Sequence, residues 1–316
     1  MKLKIRETEM TLIVIAAAAF VILLGAGLAL LAFAGAVGSG GLAGLPFVGK
    51  GCVALVPISG EIVADDASGG MFAEGAPGSE TIANAIAETD KRKEVKAMVL
   101  LIDSPGGSVV AGNEIYRAVN STEKPTVSYF REVAASAAYE IGAGSDYIVS
   151  DPDALTGSIG VRATVIDMSG LFEKLGVNMS VVKSGAMKDM GDVGRPMTPE
   201  EEAVFQAIVD EIFHEFRSNV IAGRGSRLNM AQFEKILDAR VLTGRQAKEI
   251  GLVDELGTKQ RAIEKAWEMG GGSGEPVVCN VNPAGSSFGG MFSGAAEAFG
   301  RGFASGLSEK GGVQIS

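Results

Sequence analysis

The chain has 316 residues, 47% of them hydrophobic and 21% charged, which supplies enough apolar side chains for a sizeable core. Its formal net charge is −10, and its lysines and arginines are scattered, so the basic stripe that a nucleic-acid partner requires is missing. A single histidine, His214, leaves too little imidazole for a Ser/His/Asp triad or a histidine-rich zinc site, and its position in the helical pattern 202–220 reads as a helix-face residue.

The chain opens with a short charged stretch, residues 1–10, containing Lys2, Lys4 and Arg6. Residues 11–37 then carry no charge at all, a run longer than the roughly 20 residues that cross a bilayer. A secretory signal peptide has a shorter apolar region, so the run is expected to be an uncleaved signal-anchor. Only Lys50 follows it closely, and this bias in positive charge puts the N-terminus in the cytoplasm and the remainder outside, as a single-pass protein of the cell membrane. Residues 38–51 are Gly-rich and read as a tether.

Residues 52–270 form the expected folded domain. Apolar or β-rich runs at 53–57, 97–102, 126–130 and 147–149 predict strands, and helical patterns at 80–88, 109–119 and 133–143 lie between them. Such alternation predicts an α/β domain with parallel pairing. Further strands are expected at 161–167 and 179–183. A long helix follows, with Thr198 as its cap and Pro199 in its first turn. Its apolar positions Val204, Ile208, Ile212, Phe216 and Val220 read as core or subunit interface. Past residue 270 the sequence turns Gly/Ser-rich, so residues 271–316 read as a tail; Phe292, Phe299 and Phe303 are spaced for one face of a weak helix, but the glycines oppose it, and disorder is the favoured reading over a docking peptide. Cys52 and Cys279 are too few for a disulfide framework; free or structural thiols are the favoured reading and a single bridge the alternative.

Three segments carry residues suited to chemistry. In 101–112 a Pro-Gly-Gly turn follows a strand and precedes a helix, where glycines let backbone amides approach a ligand. In 131–144 Ser136 sits among small residues near a helix start, whose dipole and free amides favour developing negative charge. In 181–198 Lys188 lies in a turn after an apolar run, and a lysine desolvated there could shed its proton and act as a base.

Together these pieces resemble the signal peptide peptidase A family of membrane serine proteases, whose fold is similar to that of Clp protease and crotonase. The likeness runs from Cys52 to Trp267 and includes Asp103-Ser104-Pro105-Gly106-Gly107, Ala135-Ser136, Thr156-Gly157-Ser158-Ile159-Gly160-Val161, Lys183-Ser184-Gly185 with Lys188-Asp189, and residues 242–257. The resemblance implies a Clp protease/crotonase-like α/β domain behind an N-terminal transmembrane helix. It implies Ser136 as nucleophile, Lys188 as general base and Ser158 as the hydroxyl that orients the lysine, with oxyanion-hole amides from Gly107 and Ala137. It further implies no cofactor or metal, assembly into a homo-oligomer whose neighbouring subunits complete one another's sites, and remnant signal peptides as substrates. Small or apolar side chains before the cleaved bond are the expected preference. Two departures stand out: Ala137-Ala138 replaces the usual Gly-Gly, which bears on pocket size, and Ala186-Met187 replaces Lys-Tyr ahead of Lys188. The alternatives are a stomatin-associated type of membrane serine protease, a catalytically silent oligomeric scaffold, and a soluble acyl-coenzyme A enzyme of the crotonase type.

Overall fold

The computed structural model describes residues 51–67 and 76–281. The expected N-terminal stretch, the span at 11–37, nearly all of the tether and most of the tail lie outside these residues. Among the described residues no helix is long and apolar enough to cross a membrane.

The expected α/β alternation is observed. Strands β1 (Cys52–Ser59), β2 (Val95–Ser104), β3 (Thr126–Ala135), β4 (Tyr147–Ser150) and β5 (Leu155–Gly157) alternate with helices α1 (Ser79–Lys91), α2 (Val109–Asn120) and α3 (Ala137–Ala143). Later come α4 (Ser169–Leu175), α5 (Pro199–Arg224), α6 (Met230–Phe233), β6 (Val241–Thr243), α7 (Gly244–Ile250), β7 (Glu255–Leu256), α8 (Lys259–Met269) and β8 (Val278–Asn280). The sheet runs β6-β5-β3-β2-β1-β8, with β4 joining β3 to β7. Every pairing is parallel except β5 with β6.

Parallel strands covered on both faces read as continuous apolar runs, and β1 and β2 show why. Ala54, Val56, Met98, Leu100 and Ile102 join the core beneath the α1–α3 layer, whereas Val53, Leu55, Ala97 and Val99 pack with Ala262, Ile263, Ala266 and Trp267 of α8. The central strands therefore bury both sets of side chains, and their C-terminal ends are held in fixed register where the loops gather.

α5 begins as its sequence dictates. The Thr198 hydroxyl accepts from the N–H of Glu201, the Glu201 carboxylate accepts from the N–H of Thr198, and Pro199 occupies the first turn. Phe216 and Val220 are buried, but Val204 and Ile208 are 38% and 45% exposed, so the apolar stripe serves the core only in its second half.

Four expectations are corrected. Residues 133–135 extend β3 and are not helical, because Val133, Ala134 and Ala135 pair with Leu155, Thr156 and Gly157. The segments 161–167 and 179–183 form no strands: residues 161–198 make an arm in which only α4 is regular and no residue is buried, so its apolar runs find no sheet edge to join. The sheet continues past residue 270, since β8 pairs with β1. Finally, Cys52 and Cys279 form a disulfide across these two strands, with Cα atoms 5.8 Å apart. Register makes the bond: Ala54 faces Cys279, two residues from Cys52.

Candidate active site

β3 ends at Ala135 and the chain turns at Ser136 directly into α3. Ser136 holds φ 57 and ψ −129, a conformation that L-residues rarely adopt. It is fixed from the next strand, where the Ser136 N–H donates to the Gly157 carbonyl at 2.9 Å. Ser158 follows at φ 50, with its own N–H donating to the Arg240 carbonyl at 3.0 Å. Ala239, at φ 62, completes the set of non-glycine residues with positive φ among the described residues. All three line one cleft of about 640 Å³, so the unusual backbone is concentrated where chemistry would occur.

The glycine turn closes on the same spot. The Gly106 N–H donates to the Ser104 hydroxyl at 3.1 Å, the Gly106 carbonyl accepts from the Ile62 N–H at 2.9 Å, and the Ser108 N–H donates to the Ile62 carbonyl at 2.8 Å. Gly106 has φ 97, and a Cβ there would lie 2.8 Å from both the Ala135 carbonyl oxygen and Ser136 Cβ, so no side chain fits between turn and serine. Gly107 and Ala137 both border the cleft beside Ser136. Ala137 is the first residue of α3, so its N–H has no intrahelical acceptor and is available to a ligand oxygen.

The chain has relatives among known proteins. The model of peptidase family S49 matches residues 118–270, and that of Clp protease matches residues 76–148. A protein of Methanocaldococcus jannaschii named as a protease is 35% identical over 229 residues, which cover 72% of this chain and 73% of that one. The chain belongs to peptidase family S49. A protein of Enterococcus faecium named as a signal peptide peptidase is 34% identical over 64% of this chain and 59% of its own. Among solved structures, a variant of the 1510-N membrane-bound stomatin-specific protease aligns with 75% of this chain and 100% of its own at 17% identity and TM-score 0.43. That score is too low to bear on function.

In this S49 peptidase, four of the five expected site residues, Ser136, Ser158, Gly107 and Ala137, meet at the cleft. Lys188 does not line it. It lies in an exposed turn of the arm, its N–H donating to the Gly185 carbonyl at 3.1 Å. The turn is clamped by charge. Asp189 takes Lys183 Nζ at 2.5 Å and Arg195 at 2.8 Å, and Arg195 passes on to Glu201 at the start of α5. The Arg195 guanidinium, with the Thr198 N–H assisting, lowers the Glu201 pKa to about 2; hydrogen bonds from Arg195 and Lys183 hold Asp189 well below the usual carboxylate range.

The departure Ala137-Ala138 is accommodated by a glycine elsewhere. A Cβ at Gly112 of α2 would fall 2.8 Å from Ala137 Cβ, so the missing side chain of one helix makes room for the methyl of the other.

Sequence reasoning missed five cleft residues: the charged Glu61 and Arg162, and Ala239, Asn113 and Glu140. Ala239 reaches it through its backbone turn, a property no side-chain pattern announces. Asn113 of α2 and Glu140 of α3 look like polar helix positions, yet both are buried at the cleft. Glu140 lies four residues after Ser136, the only spacing signal that could have flagged it. Burial raises its pKa, the Asn219 amide opposes the rise, and Glu215 adds to it.

Proposed function

We propose that this S49 peptidase is a membrane-anchored serine endopeptidase that uses Ser136 and Lys188 to degrade remnant signal peptides and similar peptides outside the cytoplasm. The observation that carries the reading is the turn at Ser136, whose positive φ sets the residue between a strand end and a helix start with Gly106 packed against it. In the proposed reaction the neutral Lys188 amine takes the Ser136 hydroxyl proton as the serine oxygen attacks the peptide carbonyl. The amides of Gly107 and Ala137 receive the negative charge that develops on the carbonyl oxygen. Lys188 returns the proton to the leaving amine, then activates the water that clears the acyl-enzyme, while the Ser158 hydroxyl orients the lysine.

Because Lys188 stands on an exposed arm, the base at each Ser136 is assigned to a neighbouring copy in a homo-oligomer. Support comes from Ile166, Leu175 and Val182, which are 62%, 66% and 101% exposed on that arm, an apolar surface suited to burial in an assembly. The uncharged run at residues 11–37 supports a single anchoring span with the N-terminus in the cytoplasm. A bridge between Cys52 and Cys279 favours an oxidising compartment, in keeping with an outside-facing domain.

The test is labelling and complementation with the full chain in detergent. A fluorophosphonate should acylate Ser136, mapped by mass spectrometry, and co-assembled Ser136→Ala and Lys188→Ala chains should recover turnover that neither has alone. No labelling of a folded assembly would favour the silent scaffold, and no recovery on co-assembly would contradict a base donated across subunits.

A further inference from the structure

Glu140 sits one helical turn beyond Ser136, on the same face of α3. It is 4% exposed, yet its side chain borders the cleft. Its Oε1 accepts from the Asn219 side-chain amide at 2.8 Å, and the same amide nitrogen reaches Asn113 Oδ1 at 3.4 Å. No hydrogen bond to Glu140 Oε2 is formed among the described residues, and no fully enclosed side-chain nitrogen or oxygen there lacks a partner. Oε2 therefore opens onto the cleft.

No lysine or arginine among the described residues makes an ion pair with this carboxylate. The charges that act on it, Arg117 of α2 and Glu215 of α5, work in opposite directions, and burial dominates. A buried carboxylate without a cation is costly unless something else supplies one. The same cleft is lined by the apolar Val109, Ile212 and Phe216, and by the charged Glu61 and Arg162. An alkyl stem between apolar walls with a cationic head at their polar end is the way lysine and arginine side chains bury themselves.

We propose that Glu140 is a specificity residue, forming with Asn113 the polar end of a subsite beside Ser136 that receives the lysine or arginine side chain of a peptide residue adjoining the scissile bond. This rests on the peptidase reading above and replaces the expected preference for small or apolar side chains.

The experiment uses the full chain in detergent and a peptide set of constant sequence in which the residue on either side of the cleaved bond is lysine, arginine, norleucine, alanine or glutamate, with cleavage mapped by mass spectrometry. The unmodified protein should cleave lysine or arginine peptides with kcat/KM about tenfold or more above norleucine, and glutamate peptides least. Glu140→Gln should bring the lysine-to-norleucine ratio towards one, and Glu140→Lys should turn the preference towards glutamate. A Glu140 that only ties α3 to α5 through Asn219 would change thermal stability and leave the ratio alone, which would overturn the proposal. Should the variants fail to fold, the unmodified protein still decides: equal or better cleavage of norleucine and alanine peptides overturns it. Failure of the peptidase reading looks different, as no cleavage of any peptide or undiminished cleavage by Ser136→Ala.

Discussion

The N–H of Ser136 donates to the carbonyl of Gly157 at 2.9 Å, so the candidate nucleophile and Ser158 each follow one member of the paired residues Ala135 and Gly157. Two hydroxyl residues with positive φ are thereby held on adjacent strands by backbone alone. Their side chains stay free for chemistry.

Ser158 gives a prediction with two opposite signs. A non-glycine residue in this region of backbone space carries strain of about 1–3 kcal/mol. Ser158→Gly should therefore keep or raise Tm, by about 2–4 °C for each kcal/mol relieved. Both Ser158→Gly and Ser158→Ala should lower kcat by about tenfold or more if the hydroxyl orients the base. Calorimetry and steady-state kinetics on the two variants separate the roles.

Gly112 and Ala137 should behave as a pair. Gly112→Ala alone forces two methyl groups to 2.8 Å and should displace the start of α3, lowering kcat and stability by about 1–3 kcal/mol as overpacking does. Adding Ala137→Gly removes one methyl and retains the amide, so the double variant should regain much of what the single one lost. A double-mutant cycle on Tm and kcat measures the coupling.

The match over residues 242–257 contains a structural tie away from the cleft. Arg224 is fully buried and donates to both oxygens of Asp254, at 2.9 and 2.7 Å, while Asp254 also accepts from the Ile148 N–H at 2.8 Å. Asp254→Ala leaves a buried guanidinium unpaired and should cost about 3–5 kcal/mol. The combined change of Arg224→Met with Asp254→Leu should cost far less, because no charge is stranded. Denaturant midpoints of the two variants provide the comparison.

Acid should loosen the arm at its junction with α5. Glu201 titrates near pH 2 in the folded chain against an ordinary value of 4.5, so its ionised form is stabilised by folding. Its contribution is complete above about pH 4.5 and is lost as pH falls through about 2. Asp189 acts in the same sense, through Arg195 and Lys183. Protection of the amides of residues 183–201, corrected for the intrinsic exchange rate at each pH, should therefore fall from pH 4.5 downward, and Arg195→Met should remove the share due to Glu201 and leave the share that Lys183 gives Asp189.

Much of this architecture is visible in the sequence because buried parallel strands are continuous apolar runs, and the stretches 53–57, 97–102, 126–130 and 147–149 all fall within observed strands. The boundary before Ser136 differs from the expected one because Val133, Ala134 and Ala135 suit either element, and pairing with β5 decides for strand. Residues 161–167 and 179–183 have strand-like composition but no partner strand. The bridge between Cys52 and Cys279 depends on β1 and β8 meeting across 227 residues, which spacing cannot reveal. Ser136 and Ser158 emerge from the sequence through motif order, whereas Glu140 resembles any surface helix glutamate until the fold turns it towards the cleft.

Turnover of a fluorogenic signal-peptide-like substrate by the full chain, beside Ser136→Ala and Lys188→Ala, tests the central claim most directly. With both variants folded and assembled, each should lose about a thousandfold or more in kcat. Retention of full activity by either variant, or an inactive unmodified protein that is correctly assembled, would contradict the Ser136/Lys188 mechanism.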